Sequence, residues 1–207
     1  MRIGIDFDNT IACYDGVFHA AAVERGLIPI DLARDKNSVR DHLNGTGRKD
    51  EFTELQGYIY GARMELAAPY PGFAEFVAAA RRAGDELYIV SHKTRYPLRG
   101  PQHDLHEAAR DFLTARGIMG HGAQQIDPSH VFFELTKEAK VARAASLACE
   151  IFIDDLPEIL AMPGFPEGLR RVLFDPDRQF ADLVVEGPGT VVRLPSWTAI
   201  AADLNRA

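Results

Sequence analysis

The chain has 207 residues, of which 46% are hydrophobic and 26% charged, and its formal net charge is −7. This length predicts one domain, or one domain with an insertion, and the composition excludes disordered and fibrous proteins. The negative charge argues against a protein that coats nucleic acid, although a local basic cluster could still bind a small anion.

Targeting and redox features are sparse. No apolar run approaches the roughly 18 residues of a membrane span, and Met1 leads almost directly into an apolar segment, which leaves no room for a signal peptide. The two cysteines, Cys13 and Cys149, form neither a CxxC pair nor a disulfide framework. We therefore expect a cytoplasmic protein with reduced cysteines and no membrane partner.

Short apolar runs without polar alternation predict strands that are buried on both faces. Five such runs are strong, and a sixth, at 191–194, is weaker. The five strong runs lie at 3–7, 86–91, 131–135, 151–155 and 171–175.

Segments with helical spacing separate most of these strands. They lie at 73–80, 105–113 and 137–148, and Thr136 is placed to cap the last of them. The alternation of strands and helices predicts an α/β fold, a Rossmann-like three-layer arrangement in which helices cover both faces of a parallel sheet.

The stretch 16–68 does not follow this alternation. It has no convincing strand, but apolar residues recur at helical spacing at Phe52, Leu55, Ile59, Ala62 and Leu66. We interpret 16–68 as a helical insertion after the first strand, with 1–15 and 69–207 forming the α/β core.

Polar residues stand at the ends of three strong strands: Asp6, Ser91 and the pair Asp154-Asp155. In open α/β sheets, ligands bind outside the carboxyl ends of the strands at a topological switch point. We therefore expect these side chains to meet in one pocket.

The segment from Asp6 to Thr10 carries two carboxylates two residues apart, directly after an apolar strand. Their repulsion is costly unless a cation or a proton lies between them. A calcium loop of the EF-hand type is excluded, because Ile11 occupies the position where that loop requires glycine.

These residues resemble the motifs of the haloacid dehalogenase-like (HAD) superfamily. Asp6-x-Asp8-x-Thr10 is similar to the first motif and Ser91 to the second. Lys137, which opens a helix, is similar to the third motif, and Asp154-Asp155 to the acidic fourth. The resemblance covers roughly residues 1–160 and implies a HAD-like core with a small helical C1-type cap formed by 16–68.

The resemblance also implies a mechanism with Mg²⁺ as cofactor. Asp6 would be the nucleophile that accepts the phosphoryl group. Asp8 would be the general acid and then the general base, with its backbone carbonyl as a metal ligand. Asp6, Asp8 and Asp155 would hold the metal, and Asp154 would support it through a bound water.

The same resemblance assigns the phosphate contacts. Ser91 and Lys137 would hold phosphoryl oxygens, while Thr10, which braces the loop, and His92 are further phosphate-binding candidates. Lys140 lies one helical turn beyond Lys137, so either could be the working lysine. We favour Lys137, because it lies at the helix start, and place Lys140 on the surface.

The substrate is less defined. The irregular basic loop after Ser91 predicts that Lys93 or Arg95 contacts a second anionic group. The resemblance to the superfamily implies that a chain with aspartate at position 8 is a phosphatase or phosphomutase, and we favour hydrolysis of a small phosphorylated molecule. The small cap resembles the 5′-deoxyribonucleotidase branch, so a nucleoside monophosphate or a sugar phosphate is expected. A non-catalytic phospholigand-binding module is the alternative from another class.

Overall fold

The computed structural model describes residues 1–180 and 191–206. Their contacts divide the chain into two compact units. We call them the core unit (Met1–Ala12, Pro69–Lys93 and Arg116–Ala207) and the helical unit (Cys13–Ala68 and Thr94–Ala115).

The elements are numbered in chain order. The strands are β1 (Arg2–Ile5), β2 (Ala12–Cys13), β3 (Ala68–Pro69), β4 (Glu86–His92), β5 (Val131–Glu134), β6 (Ile151–Asp154), β7 (Arg170–Phe174) and β8 (Val191–Leu194). The α-helices are α1 (Val17–Glu24), α2 (Lys36–Gly45), α3 (Lys49–Tyr60), α4 (Phe73–Arg82), α5 (Leu105–Ala115), α6 (Lys137–Ser146), α7 (Pro157–Leu160) and α8 (Trp197–Asp203). Among the described residues, no helix has both the length and the apolar character needed to cross a membrane.

The core unit contains a parallel six-stranded sheet in the order β5-β4-β1-β6-β7-β8. The central strand β1 is apolar and buried from Ile3 onwards, which matches a strand covered on both faces. All six predicted strands are confirmed, including the weaker one at 191–194, and with them the α/β fold class.

Helices pack on the two faces of this sheet. On one face, Val141 and Ala144 of α6 and Ile159 of α7 join a buried cluster with Phe152 of β6. On the other face, Trp197 of α8 packs against three phenylalanine rings, with ring centroids 4.7–5.6 Å apart (Phe73, Phe76 and Phe174). The predicted cap of α6 is also confirmed, because the Thr136 hydroxyl accepts a hydrogen bond from the Ala139 amide.

A buried ion cluster joins the two ends of the described core. Asp85, only 1% exposed, accepts hydrogen bonds from the α-amino group of Met1 and from the guanidinium of Arg206. Burial by itself raises the pKa of Asp85, but these hydrogen bonds and charges outweigh it and hold the pKa below its usual value.

The helical unit is built from α1, α2, α3 and α5, with a 3₁₀ turn at Met64–Leu66. It therefore contains residues 94–115 in addition to the segment expected at 16–68, and α5 belongs to this unit rather than to the layers around the sheet. The helical pattern expected to run to Leu66 is interrupted, since α3 ends at Tyr60. At Gly61, just after α3, a Cβ atom would lie 2.5 Å from the Cβ of His103, so the close approach of the segment before α5 excludes a side chain there.

Candidate active site

The candidate site lies where the strand order reverses. From β1 the chain continues to β4 and β5 on one side, and then returns to β6 on the other side of β1. Asp6 directly follows β1, and its amide donates a 2.9 Å hydrogen bond to the Ile153 carbonyl of β6. The carboxyl ends of these two strands therefore place Asp6 beside Asp154, at a topological switch point.

A cavity of about 80 Å³ opens at this edge of the sheet. Its lining residues are Asp6, Asp8, Asn9, Ser91, His92, Lys140, Asp155, Leu156 and Ile159. Since a water molecule occupies about 30 Å³ in the liquid, the cavity has room for a small inorganic group rather than a whole metabolite.

Three carboxylates meet in this region. One oxygen from each of Asp6, Asp154 and Asp155 lies within 4.8 Å of the others. Asp6 is 5% exposed, Asp154 is fully buried and Asp155 is half-buried. Such a cluster is costly without compensating positive charge, and its oxygen donors are the ligands that Mg²⁺ prefers.

Lys140 supplies part of that positive charge. Its ammonium lies 2.5 Å from Oδ1 of Asp6 and 2.6 Å from Oδ2 of Asp154, and its side chain is 2% exposed. Burial alone disfavours the charged form, but the two carboxylates outweigh it and raise the pKa of Lys140 above its ordinary value. The ammonium is therefore charged throughout the physiological range.

At the fully buried Asp154, the effect of burial on the pKa outweighs the opposing charge of Lys140. Burial raises its pKa to about 7, and the nearby Asp6 charge adds to this effect, while Lys140 opposes it. One oxygen of Asp154 contacts Lys140 and the other accepts a 3.0 Å hydrogen bond from the Leu156 amide.

The preference for Lys137 over Lys140 is corrected by their placement. Lys137 is 42% exposed and its ammonium lies 3.6 Å from Glu158, whereas Lys140 contacts the carboxylates. Side chains on a helix tilt toward its N-terminus. The side chain of Lys140, one turn into α6, therefore extends back to the carboxylates at the carboxyl edge of the sheet. The side chain of Lys137, at the start of the helix, extends beyond them.

Lys93 contacts Asp8 rather than facing solvent. It directly follows β4, is 3% exposed, and its ammonium lies 3.0 and 2.8 Å from the two carboxylate oxygens of Asp8. Arg95, its predicted alternative, lies in the helical unit and pairs with Asp104. A role for Arg95 at a second anionic group of the substrate stays a prediction.

The remaining predicted phosphate contacts lie at the same edge. Ser91 is 1% exposed and lines the cavity together with the half-buried His92. The Thr10 hydroxyl lies 3.4 Å from Oδ1 of Asp155, and the Thr10 carbonyl accepts a 3.0 Å hydrogen bond from the indole of Trp197. Thr10 thus contacts Asp155 through its hydroxyl and Trp197 through its carbonyl, and its predicted role at the phosphate stays a prediction.

From the sequence alone we place Lys140 on the surface and assign no site role to Asn9 or Trp197. Lys140 shares the buried stripe of α6 with Val141 and Ala144, and a lysine in such a stripe is a signal that could have identified it. Asn9 lines the cavity with a left-handed backbone, φ 58°, which asparagine tolerates better than most residues. Trp197 is 187 residues from Thr10, and no local sequence pattern predicts the hydrogen bond between its indole and the Thr10 carbonyl.

The formal charges of the side chains in the site favour a divalent cation. Asp6, Asp8, Asp154 and Asp155 contribute four formal negative charges, and Lys93 and Lys140 contribute two positive ones. Acidic side chains therefore outnumber basic ones in this group, which favours a bound cation. The donor set and its charge therefore fit Mg²⁺.

No protein-family model matches the chain, and no curated protein matches it. Among solved structures, the chain is similar to a HAD-superfamily hydrolase from Ehrlichia chaffeensis, with 15% identity, a TM-score of 0.56, and coverage of 99% of this chain and 96% of that one. A HAD-family hydrolase from Deinococcus radiodurans with bound phosphate and sodium gives 17% identity, a TM-score of 0.56, and coverage of 99% and 95%. YfnB from Bacillus subtilis, a HAD hydrolase bound to magnesium, gives 15% identity, a TM-score of 0.56, and coverage of 99% of this chain and 98% of that one. The chain therefore has the α/β fold of HAD-superfamily hydrolases.

Proposed function

We propose that this protein is a Mg²⁺-dependent phosphatase that hydrolyses a small phosphomonoester through a phosphoryl-aspartate at Asp6. The observation that carries the proposal is the cluster of Asp6, Asp154 and Asp155 at the carboxyl ends of β1 and β6, in which Lys140 bridges Asp6 and Asp154. The fold shared with HAD-superfamily hydrolases supports the same reaction class.

In the first step, a carboxylate oxygen of Asp6 forms a bond to phosphorus while the bond from phosphorus to the leaving oxygen breaks. Asp8 donates a proton to that leaving oxygen. The ammonium of Lys140 and the hydroxyl of Ser91 would hold the non-bridging phosphoryl oxygens, where negative charge is greatest.

In the second step, Asp8 accepts a proton from a water molecule whose oxygen bonds to phosphorus. The bond between phosphorus and Asp6 breaks, which releases phosphate and restores the carboxylate. Mg²⁺, held by Asp6, Asp155 and the carbonyl of Asp8, would supply positive charge that screens the carboxylate from the phosphate dianion. Asp154, whose oxygens already contact Lys140 and the Leu156 amide, would support it through a water.

The substrate proposal follows from the cavity. Its volume of about 80 Å³ suits a phosphoryl group, so the remainder of the substrate would lie outside the residues that line it. We keep a nucleoside monophosphate and a sugar phosphate as the two substrate classes. The cap role of 16–68, the 5′-deoxyribonucleotidase branch and the cytoplasmic location stay predictions.

The test is phosphate release from p-nitrophenyl phosphate with magnesium. We expect the activity to be abolished by EDTA and restored by added Mg²⁺. Asp6→Asn should be inactive, whereas Glu167→Gln should keep the wild-type rate. This control makes the same carboxylate-to-amide change near Arg170, at the amino edge of the sheet. Equal rates for the wild type and Asp6→Asn would contradict the proposal.

A panel of substrates separates the remaining possibilities. Hydrolysis of nucleoside monophosphates in preference to sugar phosphates would identify the first substrate class, and the reverse preference the second. Isomerisation of a sugar phosphate without phosphate release would show a phosphomutase instead. Phosphate binding without turnover of any ester in the panel would favour the binding module.

A further inference from the structure

We propose that Lys93 is a positioning residue that holds the carboxylate of Asp8 in the orientation needed for proton transfer. The inference rests on the proposed phosphatase function and adds to it a residue whose partner is Asp8 rather than the substrate. Its basis is the contact between the Lys93 ammonium and both carboxylate oxygens of Asp8, at 3.0 and 2.8 Å.

The backbone of Lys93 is fixed by the sheet. β4 pairs with β5 through His92 and Glu134, and the Lys93 amide then donates a 2.8 Å hydrogen bond to the Glu134 carbonyl. Lys93 therefore extends the hydrogen bonding between β4 and β5 one residue beyond the end of β4. A side chain anchored on such a rigid element can define the position of its partner more closely than one on a free loop.

The side chain of Lys93 is equally constrained. It is 3% exposed, and its ammonium lies 5.3 Å from the centroid of the Phe7 ring, a distance typical of a cation–π contact. A buried ammonium next to one carboxylate is expensive to move, because leaving that partner would expose it to a medium of low polarity. Lys93 is thus poorly placed to turn toward a substrate group and well placed to hold Asp8.

Asp8 needs such an anchor because its own backbone lies in a loop. It follows Phe7, whose carbonyl accepts the amides of both Ile11 and Ala12 at 2.9 Å, and the Asp8 side chain is 21% exposed. These backbone contacts set the turn, whereas the orientation of the Asp8 carboxylate depends on its side-chain torsions. The two-oxygen contact with Lys93 restricts those torsions, which matters because a proton donor must lie within hydrogen-bond reach of the leaving oxygen.

The inference predicts an effect that depends on the leaving group. Phenyl phosphate and p-nitrophenyl phosphate have nearly the same shape, but nitrophenolate leaves readily without a proton, whereas phenolate benefits from one. Misplacing Asp8 should therefore slow the first substrate much more than the second. General acid catalysis typically contributes 10²–10⁴-fold. We therefore expect Lys93→Met to lower kcat/KM, which reports the steps up to formation of the phosphoryl-aspartate, at least about tenfold more for phenyl phosphate than for p-nitrophenyl phosphate.

The experiment compares kcat and KM for both substrates in the wild type, Lys93→Met, Asp8→Asn and the double variant. If Lys93 acts through Asp8, adding Lys93→Met to Asp8→Asn should change kcat less than about threefold, and KM should stay near the wild-type value in Lys93→Met. Lys93→Arg, which keeps a cation, should recover part of the phenyl phosphate rate. Circular dichroism of each variant establishes that it is folded, and Lys93→Gln replaces Lys93→Met if the latter does not fold.

Two results would overturn the inference while leaving the phosphatase proposal intact. One is an equal loss of kcat/KM for both substrates, and the other is a raised KM that persists in the Asp8→Asn background, which would mean that Lys93 binds the substrate itself. A wild-type protein that hydrolyses neither ester with magnesium would overturn the proposed function, and this inference with it.

Discussion

Replacing Lys140 by methionine removes the cation that lies between two buried carboxylates. Its ammonium is 2.5 Å from Asp6 and 2.6 Å from Asp154, and these two side chains are 6% and 0% exposed. Removing one partner of a buried ion pair costs about 3–5 kcal/mol, a large part of the roughly 5–15 kcal/mol by which domains are stable. The loss of the Lys140 charge raises the pKa of Asp154 further, so the variant keeps a proton on Asp154 over a pH range in which the wild type gives it up. The cost should therefore be smaller at pH 6 than at pH 8.

The matched change is Lys137→Met, which removes an ammonium one turn earlier on the same helix. That ammonium is exposed and lies 3.6 Å from Glu158, so its loss should cost less than about 1 kcal/mol. In a phosphate-release assay we expect Lys140→Met to lower kcat at least about 100-fold and Lys137→Met less than about threefold. Urea denaturation at both pH values gives the stabilities. A large loss of activity in Lys137→Met together with near wild-type Lys140→Met would refute the reasoning.

Three further predictions concern the scaffold. Asp85→Asn should lower the free energy of unfolding by about 1–3 kcal/mol at pH 7; because the pKa of Asp85 is lowered in the folded state, this stabilisation should fade as the pH falls through the acidic range, and urea titrations at pH 7 and pH 3 check it. Gly4→Ala should lower the free energy of unfolding by about 1–3 kcal/mol, because the added Cβ would lie 2.6 Å from a phenylalanine ring of β6. Gly45→Ala, whose added Cβ would have no heavy atom within 4 Å, should leave the free energy of unfolding unchanged in the same urea titrations. Trp197→Phe leaves the Thr10 carbonyl without its indole donor, so the unfolding free energy should fall by about 1–3 kcal/mol; an unchanged melting temperature would contradict that assignment.

The core fold was predictable because its signals are local. Each strand is a short apolar run, and the inner strands are buried by two neighbouring strands and two helix layers. This pattern can be recognised in the sequence without knowing the partners. The acidic residues after β1 and β6 could be placed together for the same reason, since the carboxyl ends of parallel strands meet at one edge. The placement of Asp6 beside Asp154 and Asp155 bears out this expectation.

What could not be predicted depends on side-chain direction and on contacts between distant segments. Lys137 and Lys140 lie on the same helical stripe, and only the axial position of α6 relative to the sheet distinguishes them. Lys93 lies in an irregular basic segment that is typical of a solvated loop, yet one more backbone hydrogen bond to Glu134 keeps it on the sheet and turns it to Asp8. The packing of α5 with the helical unit is likewise set by tertiary contacts, because its amphipathic pattern would also suit a helix on a sheet.

The central claim is that Asp6 and Asp155 bind one divalent cation, which Asp154 supports through a water. Isothermal titration calorimetry with magnesium chloride tests it directly, with no assumption about the substrate. We predict one Mg²⁺ per chain in the wild type, loss of that binding in Asp6→Asn and in Asp155→Asn, and retention of it in Glu167→Gln. Unchanged magnesium binding in the Asp6→Asn and Asp155→Asn variants, or none in the wild type, would contradict the claim.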